Sequence, residues 1–95
     1  MKIKSLEWNP IYREHTFGGF EILEAEAIEG VYLIIKQDGR YEVVNKLTSK
    51  SYWEVGSANT EEKAKRVAQR NLEKQVMTVY NSIKKYFVIS NQRIK

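Results

Sequence analysis

The sequence predicts an α+β fold: an antiparallel sheet of three to four strands packed on one long C-terminal amphipathic helix, in the order β-β-β-β-α. Three observations carry this. Up to Asn59, apolar and polar residues alternate in short runs bounded by turn residues. Two β-branched, aromatic-rich runs flank Asp38-Gly39. From Thr60 onward apolar residues recur at three- and four-residue spacing instead. The sheet is assigned to residues 1–56, the helix to about 60–86 and a tail to 87–95. All of it falls within a single domain 1–95, because a chain this short buries only about two-thirds of its unfolded surface and has room for one sheet and its cover.

Taken in order, Ile3-Lys4-Ser5-Leu6-Glu7-Trp8 reads as a first short strand with Leu6 and Trp8 facing inward, ended by the turn dipeptide Asn9-Pro10. Gly18-Gly19 punctuates the next segment, and Phe20-Glu21-Ile22 alternates as a strand with one solvated face should. From Leu23 the apolar phase slips by one residue, to Leu23, Ala25 and Ala27, which predicts a β-bulge or a strand end. The runs 31–36 and 41–45 around Gln37-Asp38-Gly39-Arg40 predict a hairpin, since a type I′ turn needs positive φ that Asp and Gly tolerate. Residues 48–51 form a polar loop, and Tyr52-Trp53-Glu54-Val55 a shorter strand closed by Gly56.

The helix starts near Asn59-Thr60-Glu61-Glu62, with Asn59 as cap, Glu62 three residues on, and two carboxylates at the positive end of the helix dipole. Ala64, Ala68, Leu72, Val76, Val79 and Ile83 then form a stripe that predicts burial against the sheet. Stepping about 100° per residue, Lys63, Arg66, Arg70 and Lys74 fall within roughly 80° of one another, opposite Leu72. The apolar tail segment Tyr86-Phe87-Val88-Ile89-Ser90 is read as packing within the molecule.

A hydrophobic share of 42% with 12% aromatic residues places the chain among folded domains rather than disordered ones. The absence of cysteine excludes disulfides and thiolate chemistry. No apolar run approaches membrane-spanning length and the start lacks a signal-peptide core, so the expected setting is cytoplasmic, without membrane contact. Charge is unevenly placed. Residues 1–59 carry seven Lys+Arg against nine Asp+Glu, a net −2, and residues 60–95 carry nine against three, a net +6.

That asymmetry singles out the ridge Lys63, Arg66, Arg70 and Lys74 as a partner- or phosphate-binding surface, because phosphate recognition needs several cations in one geometry. A solvated helix face has the same composition. Glu21, Glu24, Glu26 and Glu29 are read as a solvated strand face that makes the molecule dipolar. Among the aromatic residues, Tyr52 and Trp53 are the candidate anchors: neighbours on a strand face opposite ways, so one ring points outward. His15, the only histidine, stands beside Glu14 with no nucleophile or ligand set around it and reads as a loop residue. Gly18-Gly19 is too short for a phosphate cradle. No catalytic residue, metal site or cofactor is assigned, and the oligomeric state is left open.

Ala64-Lys65-Arg66-Val67-Ala68-Gln69-Arg70-Asn71-Leu72 resembles the start of the second helix of double-stranded-RNA-binding domains. In that family two lysines precede the first alanine by three and two positions and grip phosphates. Glu61 and Glu62 occupy those positions here, so the resemblance implies similar helix-on-sheet packing and not that mode of RNA binding. A wider likeness runs through Leu6-Glu7-Trp8, Gly19-Phe20-Glu21-Ile22, the hairpin, and Thr60-Glu61-Glu62-Lys63-Ala64-Lys65 to Ala68-Gln69. It is similar to small uncharacterised accessory proteins of phages and prophages. This implies a non-enzymatic, anti-CRISPR-like inhibitor or modulator of a host protein or nucleoprotein complex. The alternative is a nucleic-acid-binding module using the basic helix face.

Overall fold

The computed structural model describes residues 3–11 and 21–93, with side chains given through residue 84 and at Tyr86. Five strands, β1 (Asn9–Ile11), β2 (Glu21–Glu26), β3 (Val31–Gln37), β4 (Arg40–Thr48) and β5 (Ser51–Ala58), precede one helix, α1 (Glu61–Arg93). The strands form an antiparallel meander in which each pairs with its sequence neighbour. His15 with Glu14, Gly18-Gly19 and Phe20 lie outside the described residues, as do the side chains of Phe87, Val88 and Ile89.

The central hairpin forms as its turn chemistry requires. Gln37 pairs with Arg40 across a two-residue turn, and Asp38 and Gly39 take φ of 51° and 75°, the two positive values of a type I′ turn. Between β2 and β3, Gly30 has φ +68° and lies so close to the Lys46 backbone that a Cβ would run into its carbonyl oxygen. Only glycine fits there.

Among the described residues the sheet has five strands where three to four were expected, and the first of them lies at Asn9–Ile11 rather than at residues 3–8. Residues 3–8 are not a strand. Their backbone turns to the helix, where the Leu6 N–H donates to Gln69 Oε1 at 2.8 Å and Gln69 Nε2 donates to the Lys4 carbonyl at 3.3 Å. Pairing with β2 starts at Asn9, so Pro10 lies inside β1 rather than ending a strand. An edge strand accommodates it because the missing N–H is needed by no further neighbour.

The expected slip in β2 is also absent. Glu21 through Glu26 pair with Lys36 through Val31 without interruption. The mixed pattern arises because β2 carries apolar residues on both faces: Leu23 and Ala25 share the face of Ile34 and Tyr32, and Ile22 shares that of Ile35. Register shifts occur instead between β4 and β5, beside Val43/Val44 and Lys46/Thr48.

Tyr32, Ile34 and Val43 on the sheet meet Ala64, Ala68 and Leu72 on α1 to form the core. The alanines let the helix approach closely, and at Gly56 a Cβ would stand 3.0 Å from Val67 Cγ1. Two polar groups are built into this layer. The Tyr32 hydroxyl donates to Asn71 Oδ1 at 2.6 Å, and the buried Asn45 amide donates to the Glu29 and Val31 carbonyls at 3.2 and 3.0 Å. Asn45 thus ties the start of β3 and its preceding turn to β4.

The helix cap is Thr60, not Asn59. Its Oγ1 accepts from the Lys63 N–H at 3.2 Å while its carbonyl accepts from the Ala64 N–H at 3.0 Å. The helix also passes the expected end near residue 86 and continues to Arg93, a run of 33 residues. At 1.5 Å per residue this is about 50 Å, whereas the nine residues of β4 reach only about 30 Å. The radius of gyration is 16.8 Å, against about 12 Å for a compact chain of this length. The helix outruns its sheet.

Candidate partner-binding surfaces

The end of the sheet divides the predicted apolar stripe. Ala64, Ala68 and Leu72 are buried and Val76 is partly covered, but Val79 is 49% exposed and Ile83 40%. The reading of the whole stripe as core therefore fails beyond Val76, because no strand lies beneath it. Tyr80 and Met77 are exposed on the same length of helix.

Trp53 belongs to this region. It pairs with Asn45, which pairs with Tyr32, so all three side chains lie on the helix-facing side of the sheet. Together with Ile28, Leu47, Asn45, Gln75 and Val79 it lines a cleft of about 260 Å³ where α1 leaves the sheet. Trp53 remains 46% exposed. Tyr52, more exposed, pairs with Lys46 and lies on the opposite face with Val31 and Glu26.

The basic ridge is a separate surface. Lys63, Arg66, Arg70 and Lys74 are all exposed and span 12 residues, about 17 Å of helix axis. Arg66 is held by Glu62 at 2.9 Å, and Lys65, on the other side of the helix from the ridge, by Glu61 at 3.2 Å. These solvent-screened i,i+4 pairs contribute only about 0.3–0.5 kcal/mol each, but they do neutralise the first turns. Among the described residues no ion pair involves Lys63, Arg70 or Lys74. Lys84 lies about 80° from Lys74 on the helical projection and continues the basic side along the overhang.

The acidic set does not act as one patch. Glu21 shares the helix-facing side with Lys36, 3.7 Å away, while Glu24 and Glu26 occupy the other face and Glu29 lies in the turn. A second cleft, about 510 Å³, runs along the sheet edge between residues 4–7 and Glu24 and Glu26. Among titratable groups, burial pushes the Tyr32 phenol above its ordinary value of 10.0.

The six residues singled out from sequence thus fall on three surfaces. The ridge stands together on the back of α1, Trp53 lies under the overhang, and Tyr52 sits on the far face of the sheet. The exposure of Ile28, Val79 and Ile83 does not follow from the apolar pattern of the sequence. One signal could have shown it: from Gln75 to Ile83 the helix carries no charged residue, which is unusual for a solvated helix and uninformative for a buried one.

No protein-family model, curated protein or solved structure matches this chain at a significant level. Among the described residues no helix is long and apolar enough to cross a membrane.

Proposed function

We propose that this chain is a non-catalytic binding protein of the phage or mobile-element accessory type. It docks on an acidic surface of a host macromolecule in the cytoplasm through the ridge on α1 and thereby modulates or inhibits it. The observation that carries this reading is the set Lys63, Arg70 and Lys74: exposed, aligned on one rigid helix, and free of internal ion pairs among the described residues. Charges left unpaired on a preformed scaffold attract an acidic partner without reorganising first, which raises the rate of encounter and sets its orientation. Trp53 and Tyr52 stand too far round the fold to extend this ridge, so the attraction is electrostatic at its centre.

Nucleic acid is the second reading, because four cations along about 17 Å of helix can follow a phosphate backbone. A pull-down from host lysate, with and without nuclease, separates the two, using the wild type and an Arg70→Glu/Lys74→Glu variant. A discrete protein retained after nuclease and lost on charge reversal supports the binding-protein reading. Retention of nucleic acid alone, with affinity falling by a log–log salt slope of about −3 to −4, supports the second. Retention of neither refutes both.

A further inference from the structure

We propose that a second copy of this chain covers the overhanging face of α1, the two helices pairing antiparallel about a two-fold axis. The inference is independent of the basic ridge. It starts from spacing: Leu72, Val76, Val79 and Ile83 follow steps of four, three and four, the a/d pattern of a helix seam, and fall within about 60° on the helical projection. The sheet covers this seam only as far as Val76. Beyond it, a helix without charged residues from Gln75 to Ile83 stands in water on its apolar side, a state that is marginal for an isolated helix.

A copy of the same segment is a suitable cover for two reasons. An a/d seam is complementary to another a/d seam, and pairing about a two-fold axis lets one patch serve both sides. The charges also permit it: Lys74 and Lys84 point away from the seam, so two chains of net charge +4 can meet on this side without opposing like charges. Among the described residues Glu29 is the one charged group lining the cleft beneath the overhang, so the face is predominantly apolar.

The geometry fixes the direction. The seam faces the same side of α1 as the sheet does, so a parallel pair would drive the two sheets into one another. Antiparallel, each overhang lies along the other, and the far turns of one helix reach the ledge made by Trp53 and Ile28 of its partner. With large apolar side chains offering roughly 150–250 Å² each, the exposed parts of Ile28, Trp53, Val79, Tyr80 and Ile83 come to on the order of 400–500 Å² per copy. Two copies reach about 900 Å² of apolar surface, and flanking polar atoms bring this near the ~1,000 Å² at which specific interfaces begin. The dimer should therefore be concentration-dependent, with a Kd on the order of micromolar.

Sedimentation or light scattering of the full chain across a concentration series tests this. The 11.2 kDa chain should pass from monomer to twice that mass, and a Val79→Glu/Ile83→Glu variant should remain monomeric with unchanged far-UV circular dichroism per residue. The Arg70→Glu/Lys74→Glu variant should dimerise as the wild type does, which keeps this test distinct from that of the ridge. Because the chain has no cysteine, direction can be read by oxidation. An Ile83→Cys variant, near the two-fold axis, should form an inter-chain disulfide, and a Gln75→Cys variant, roughly 25 Å from its counterpart in an antiparallel pair, should not. A wild type monomeric at every concentration, a double-glutamate variant that still dimerises, or cross-linking at 75 as readily as at 83 would overturn the proposal.

Discussion

Leu72 and Ile83 occupy equivalent places in one apolar stripe, yet truncating them should have very different consequences. Leu72 is 8% exposed and packs against Tyr32, Ile34 and Val43 beneath α1. Leucine and alanine have nearly equal helix propensity, so Leu72→Ala removes packing and little else. The expected loss is about 3 kcal/mol, within the range for buried leucines that leave a cavity. For a domain of this size that lowers Tm by about 12–20 °C. Ile83 is 40% exposed, and alanine is the better helix former by a few tenths of a kcal/mol. Ile83→Ala should therefore change the stability of the dilute monomer by no more than about 0.5 kcal/mol. Urea denaturation followed by far-UV circular dichroism measures both, and an unchanged m-value ensures that stability alone is compared. If the self-association inferred above holds, the wild-type Tm also rises with protein concentration and that of Ile83→Ala does so far less. Equal losses for the two variants in dilute solution would refute the division of the helix into a covered and an overhanging half.

Two further outcomes follow from the interior. Tyr32→Phe removes the hydroxyl bond to Asn71, which keeps a donor in Gln75 Nε2 at 3.0 Å, so the cost should stay near 1 kcal/mol. The folded-state phenol titrates above 10.0, so in alkali the unfolded chain loses this proton first. The associated stability should thus be complete below pH 10.0 and disappear as pH rises through the folded-state value, a decline that Tyr32→Phe should reduce. An identical alkaline profile for both proteins would contradict that assignment. The two positive-φ glycines among the described residues should separate as well. Gly39→Ala meets no atom within 4 Å and carries only the left-handed penalty of about 1–2 kcal/mol, whereas Gly30→Ala adds a clash with the Lys46 backbone and should exceed it by at least ~1 kcal/mol. Chemical denaturation of both variants, with equal losses as the refuting result, decides this.

What the sequence by itself determined are the features whose causes lie within a few residues. The Asp38-Gly39 turn follows from two residues that tolerate positive φ, the alternation in 31–36 and 41–45 from the pleat, and the helix from a run with the right spacing and acidic first turn. The basic ridge was legible for the same reason, since one helix presents residues three and four apart on one side wherever that helix sits. The tertiary structure alone decided what depends on distant partners. Residues 3–8 lie off the sheet, with Gln69 bonding the Leu6 N–H and the Lys4 carbonyl, and β2 runs unbroken with apolar neighbours on both its faces. It also decided where burial ends along α1. Val76 and Ile83 read alike in sequence, and one is partly covered and the other exposed because a helix of about 50 Å extends beyond strands of at most about 30 Å. Periodicity specifies which side of a helix is apolar; the length of the opposing layer determines how much of that side is withdrawn from water.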